Sequence, residues 1–256
     1  MAKFSFDYNE PIICASIHSG HSIEPWLKKD MILDEENRLR EEDPFTDFFT
    51  QICSNRIIAD TSRFQVDLNR DRQNAVYQKP EDAWGLTIRE QELSNAELEK
   101  VLRFYDIFYE TTKIHIQRLI EKFGCVFVYD IHSYNHRRQG PDAPPDAQID
   151  NPDIILGTSN MPEHWKSLVD AIQQEMLSMD FFGKQLDIRQ NIKFSGGFFS
   201  QWLHQTFPDK ICCIALEFKK IFMDEWTGLV DTPSQMRLRE MLWQTFPLIK
   251  KYLSNH

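Results

Sequence analysis

The chain has 256 residues, 41% hydrophobic and 12% aromatic, enough to bury a sizeable core as one domain spanning residues 1–256. A formal charge of −10 and a pI near 5.3 argue against a general binder of nucleic acid or anionic membrane, because a polyanion is repelled by such an average surface. No apolar run approaches the roughly 20 residues of a membrane-spanning helix. The start, Met1-Ala2-Lys3-Phe4-Ser5-Phe6-Asp7, turns acidic before a signal-peptide core forms, so a cytoplasmic protein is expected.

Residues 11–17 form the first apolar run with the length of a buried strand, and it exits into Ile17-His18-Ser19-Gly20-His21. Ligand sites in α/β proteins collect at strand ends, although a lone histidine there is more often structural than a metal ligand. The acidic stretch Glu41-Glu42-Asp43-Pro44-Phe45-Thr46-Asp47 follows, in which Glu42, Asp43 and Asp47 can each offer a ligand oxygen. The same carboxylates also suit a solvated helix N-terminus. A second strand-like run covers residues 56–59. Beyond it, Ser62-Arg63-Phe64-Gln65-Val66-Asp67-Leu68-Asn69-Arg70-Asp71 sets arginines and an asparagine around an alternating segment. Guanidinium offers a carboxylate a planar, two-pronged donor, while surface ion pairing is the commoner use of such arginines.

Ser94-Asn95-Ala96-Glu97 has the form of a capping box, and the apolar positions that follow recur at three and four residues until Gly124, which predicts a long amphipathic helix. The next strand-like run, residues 125–131, delivers His132 to its polar exit. Asp130 lies two residues before His132, so on a strand both face one way and the carboxylate can orient the ring; pairing with an arginine is the alternative. A hydrolytic zinc site needs three protein ligands and an open position. With His18 and His132 as two of them, the residues leave the third open among Asp47, Glu42, Asp43 and His21.

Residues 139–152, with four prolines among acidic residues, predict a loop, and residues 153–156 another strand. A helix is predicted over residues 163–179. In the run 211–218 a single glutamate, Glu217, interrupts an apolar strand. Burying an unpaired carboxylate is expensive, so Glu217 should face a polar cleft, a cation or an activated water, as a general base would; pairing with Lys219 or Lys220 is the structural alternative. A last helix is predicted from Thr232 as N-cap with Pro233 at its first position, kinked or ended by Pro247. The five cysteines are odd in number and form no CxxC pair, which predicts core thiols in place of disulfides or a cysteine-held zinc. Alternating strands and helices predict an α/β fold with a mixed central sheet between helical layers.

Taken in order, His18-Ser19-Gly20 with Pro25, Thr46-Asp47, Ser62-Arg63 with Val66-Asp67-Leu68-Asn69-Arg70, Asp130-Ile131-His132-Ser133, Pro152-Asp153-Ile154 with Gly157, Gly196-Gly197 and Leu216-Glu217 resemble the N-formylglutamate amidohydrolase family. That family is a relative of zinc carboxypeptidases and aspartoacylase-type deacylases. Each motif is short, but the ordered set spans most of the chain, and Asp67-Leu68-Asn69-Arg70 is its most distinctive member. The resemblance implies a phosphorylase/hydrolase-like three-layer α/β/α fold holding one zinc ion on His18, Asp47 and His132; such a donor set also suits other divalent metals. Carboxypeptidase-like relatives carry a glutamate three residues after the first histidine, where this chain has His21.

The same resemblance implies Asn69 and Arg70 for the substrate carboxylate, Arg63 for the scissile carbonyl and Glu217 for proton transfer. Arg138, beside His136 and Arg137, adds positive charge suited to an anionic substrate. The implied activity is cleavage of the amide of an N-formyl or N-acyl amino acid, with zinc lowering the pKa of its water towards about 7 and Glu217 accepting the proton. The partner is then a small anionic N-acyl amino acid. Carboxypeptidase-like cleavage of a small peptide, or metal-dependent or metal-free binding of an anionic metabolite without catalysis, are the rival readings, and Glu217 with the arginines favours an enzyme. The stretch 84–92 and the loop 136–145 match nothing in the family pattern and are expected to line the pocket.

Overall fold

The apolar runs assemble into one seven-stranded mixed sheet, as a computed structural model describing residues 2–255 shows. The strands are β1 (Ala2–Ser5), β2 (Ile12–Ser16), β3 (Asn55–Ala59), β4 (Val126–Tyr134), β5 (Ile154–Gly157), β6 (Ile188–Gln190) and β7 (Ile211–Lys219), in the spatial order β1-β3-β2-β4-β7-β5-β6. The four central strands β3, β2, β4 and β7 run parallel, whereas β1 pairs antiparallel with β3 and β5 antiparallel with β7. Every residue of β2 and β4 is buried, because helices cover both faces, and both strands are apolar until the polar residues near their carboxyl ends.

The helices are α1 (Pro25–Lys28), α2 (Glu35–Glu41), α3 (Thr46–Phe49), α4 (Asn95–Phe123), α5 (Lys166–Leu177), α6 (Phe198–Thr206), α7 (Thr232–Gln244) and α8 (Phe246–Leu253). Helices α4 and α6 pack on the face formed by Ile13, Ala15, Val126, Val128, Ile211 and Cys213. The opposite face carries Ile12, Cys14, Phe127, Tyr129, Ile214 and Leu216 under α3, α5, α7 and α8. The result is the expected three-layer α/β/α arrangement. All five cysteines are buried free thiols.

Helix α4 begins and ends where the sequence places it. Ser94 and Glu97 close a reciprocal capping box, and Gly124 terminates the helix at φ 84°. The last helix differs by one residue: Asp231 is the N-cap, its carboxylate accepting from the Ser234 N–H, and Thr232 is already helical. Pro247 sits in the first turn of α8, which follows α7 after the single cap residue Thr245. Strands β1 and β6 and helices α1, α2 and α6 lie outside the predicted elements. The two edge strands have only four and three residues and lack the apolar run of a central strand. No helix among the described residues is long and apolar enough to cross a membrane.

Candidate metal centre and its pocket

Strands β2, β4 and β7 end along one edge of the sheet, and β2 marks a reversal of strand order, with β3 on one side and β4 on the other. A crevice beyond the carboxyl ends of the strands at such a reversal is where open α/β sheets bind ligands. The β4–β7 register sets His132 directly opposite Glu217. Asp130, two residues earlier, shares their face. His18 lies two residues beyond the end of β2, and the turn after it presses against β3: a Cβ on Gly20 would sit 2.2 Å from the Asp60 carbonyl carbon. Only glycine allows that approach.

The third member of the cluster is Asp43, on the turn between α2 and α3. Its N–H donates to the His18 carbonyl at 3.0 Å, and the Thr46 hydroxyl donates to the Asp43 carbonyl at 2.7 Å. Asp43 Oδ2 is 2.9 Å from His132 Nδ1 and 3.4 Å from His18 Nδ1. Ligand atoms of His18, Asp43 and His132 all fall within 4.8 Å of one another, and all three residues are buried. Each ring is backed by a buried carboxylate: His18 Nε2 meets Asp67 Oδ1 at 2.7 Å, and His132 Nε2 is 3.0 Å from Asp130 Oδ1. The second contact lies off the donor direction of the ring, so Asp130 forms an ion pair without an aligned hydrogen bond. Two imidazoles and a carboxylate converging from three elements, with outer carboxylates fixing the rings, is the donor chemistry of a hydrolytic divalent-metal site. The residues therefore fit a zinc ion.

Asp47, the ligand implied by resemblance, does not join them. It is exposed on α3, because one residue of helical rotation after the buried Thr46 turns it outward. His21 and Glu42 are also elsewhere engaged. Their side chains meet at 2.5 Å, and Arg38 donates to the other ring nitrogen of His21 at 3.0 Å.

The charges are strongly coupled. Burial works against ionising Asp43, but hydrogen bonds from His132 and His18 overcome it and hold its carboxyl below the ordinary range. Asp67 is likewise opposed by burial and held well down by the Arg63 guanidinium and His18. Burial alone would depress His132, yet Asp130 and Asp43 raise it well above a free imidazole. Glu217 is pushed up to about 8, first by burial and then by the charges of Asp43 and Asp130, against the pull of His132 and Arg63. The effect is a carboxyl poised near neutrality beside a metal-type cluster.

A cavity of about 190 Å³ opens over these groups, and His18, Arg63, Asn69, His132, Arg138 and Glu217 all line it. Arg63 donates to Asp67 Oδ2 at 2.9 Å and lies beneath the exposed Trp84 ring, 4.8 Å from its centroid. Asp67 also accepts from the Tyr77 hydroxyl and the Asn69 N–H, making it the hub that joins a histidine of the metal cluster to Arg63. Arg138 stands at the rim, its two terminal nitrogens 3.3 and 3.1 Å from the Glu41 carboxylate. Asn69 is committed to the fold as well as to the pocket. Its Oδ1 accepts the Phe199 N–H at 2.9 Å, and a Cβ on Gly197 would collide with its side chain at 2.2 Å.

Arg70 departs from expectation. It lines an adjoining recess with Gly196 and Asn160, and its guanidinium lies 4.7 Å from the Tyr77 ring centroid. From the unassigned segments, Trp84 and Arg138 do reach the cavity, and Phe194 and Lys220 line it without having been singled out as site residues. A positively charged side chain directly after an apolar strand was the available sign for Lys220. Nothing local marks Phe194.

The chain matches the model of the N-formylglutamate amidohydrolase family over residues 10–223. Its fold is similar to that of the crystal structure of N-formylglutamate amidohydrolase from Ralstonia eutropha JMP134, with a TM-score of 0.77 and 17% identity, covering 99% of this chain and 98% of that one. A gene product from Agrobacterium tumefaciens is similar with a TM-score of 0.67 and 16% identity, covering 94% of this chain and 92% of that one. No curated protein matches.

Proposed function

The chain belongs to the N-formylglutamate amidohydrolase family, and from that premise we propose that it hydrolyses the amide bond of an N-formyl or short N-acyl amino acid with the help of one zinc ion held by His18, Asp43 and His132. The observation that carries this reading is the convergence of the two histidine Nδ1 atoms on Asp43 Oδ2, directly beside Glu217 and Arg63 in one cavity. Zinc in such a site lowers the pKa of water towards about 7 and polarises a carbonyl.

The side chains divide the remaining work. Glu217, opposite His132 in the cavity, accepts a proton from the attacking water and returns it to the departing amine. Arg63, anchored on Asp67, donates to the carbonyl oxygen as negative charge develops there. Arg138 at the rim attracts the substrate carboxylate. The products are the free acid, formate for an N-formyl substrate, and the free amino acid. The small cavity favours a short acyl group over a polypeptide.

Metal analysis of the purified protein combined with turnover of N-formyl and N-acetyl derivatives of Glu, Asp and Met tests the proposal. About one zinc per chain and hydrolysis abolished by a chelator are expected. Protein that carries no divalent metal, or turnover indifferent to chelation, would overturn the metal-dependent reading.

A further inference from the structure

Lys220 is a buried cation in the pocket that this chemistry does not employ. It follows β7 directly, is 1% exposed, and lines the cavity with Asp43 and Glu217. Its ammonium donates to the main-chain carbonyls of Arg40 at 2.7 Å and Glu42 at 2.9 Å. Its own N–H donates to the Tyr134 carbonyl at the end of β4. Burial pushes the ammonium down to about 8, opposed by the charges of Asp43 and Glu41. Placing a lysine there is expensive, and main-chain carbonyls alone are poor recompense for lost hydration.

The two carbonyls flank the end of α2, where helix acceptors have no donors within the helix. A cap is therefore one explanation. The position adds more. Glu42 immediately precedes Asp43, so the peptide carbonyl that Lys220 grips is bonded to the Asp43 nitrogen, whose N–H in turn donates to the His18 carbonyl. One ammonium thus ties the loop that carries Asp43 to the end of the strand that carries Glu217.

We propose that Lys220 is a positioning residue that sets Asp43 against His18 and His132, so that the affinity of the protein for its metal depends on the ammonium; this rests on the metal reading above. The test uses full-length protein stripped of metal, with zinc alone as probe. Affinity is measured by competition with a chromogenic chelator, and the fold is checked by circular dichroism at the same temperature. Lys220→Met, close in shape but without charge, should bind zinc about 10–100-fold more weakly than the parent, the range of a partner that orients a ligand. Lys220→Gln, which retains donors, should fall between them.

A helix cap with no bearing on the metal would lower the urea midpoint of the apoprotein and leave zinc affinity unchanged. That outcome would overturn the proposal, as would failure of both variants to fold. Parent protein that takes up no zinc would defeat the metal reading itself, whereas equal affinities in parent and variants would defeat only the role of Lys220.

Discussion

The floor and the rim of the pocket are built by different means. His132 and Glu217 stand on neighbouring central strands, in register and on one face, with Asp130 two residues behind. Asp43, Arg138 and Trp84 come from turns, and each is placed by contacts far away in the chain: Asp43 through His18 and Lys220, Arg138 through Glu41, and Trp84 over Arg63. A strand fixes the direction of a side chain through its two-residue period, whereas a turn residue points wherever its anchors direct it. Floor residues should therefore govern chemistry and stability, turn residues affinity and specificity.

The hardest blow to the floor is Glu217→Gln. It should lower kcat/KM by about 10²–10⁴ and leave the zinc content intact, as read by steady-state kinetics and metal analysis. Loss of activity that merely followed loss of zinc would remove Glu217 from proton transfer. Next comes a contrast within one segment. Asp43→Asn should weaken zinc binding by more than the roughly 100-fold expected of an outer partner, and Asp47→Asn, altering an exposed side chain, should leave it unchanged. The reverse result would put the ligand back on α3.

Stability offers a third test, through β7. Strand β5 covers β7 only from Ala215 to Phe218, and short of that the Cys213 N–H donates to His204 Nε2 at 3.1 Å. This buried ring replaces a missing strand neighbour, and burial depresses its pKa to about 4. A histidine whose folded pKa lies below the unfolded value of about 6.5 stabilises fully above pH 6.5, and that contribution is lost as the pH falls towards 4. The loss is on the order of 3 kcal/mol. Urea unfolding at pH 7 and pH 4.5 should show it, and His204→Gln should flatten that limb; identical slopes would remove His204 as its cause. The smallest effect is expected at the rim. Arg138→Ala should raise KM for an acidic substrate less than about tenfold and with little change in kcat, since its guanidinium is half exposed and already paired.

Much of the fold was readable because a strand covered on both faces is apolar along most of its length. That requirement located β2, β4 and β7, with His18 and His132 at polar exits and Glu217 as the lone charge within an apolar run. The capping box of α4 is equally local, since Ser94 and Glu97 satisfy each other within one turn. The short edge strands had no such signature, as half their residues face outward or pair on one side only.

By itself, then, the sequence determined which strands form the centre of the sheet and which histidines and which glutamate they carry to its edge, and it left the further donor open among Asp47, Glu42, Asp43 and His21. The tertiary structure alone decided that Asp43 is the carboxylate gathered with the two histidines, that Arg70 opens on a neighbouring recess, and that Asn69 also holds the start of α6. The physical reason is the range of the forces involved. Periodicity and capping act within a few residues, whereas Asp43 owes its place to hydrogen bonds reaching His18 and Lys220, distant in sequence and joined only when the sheet closes.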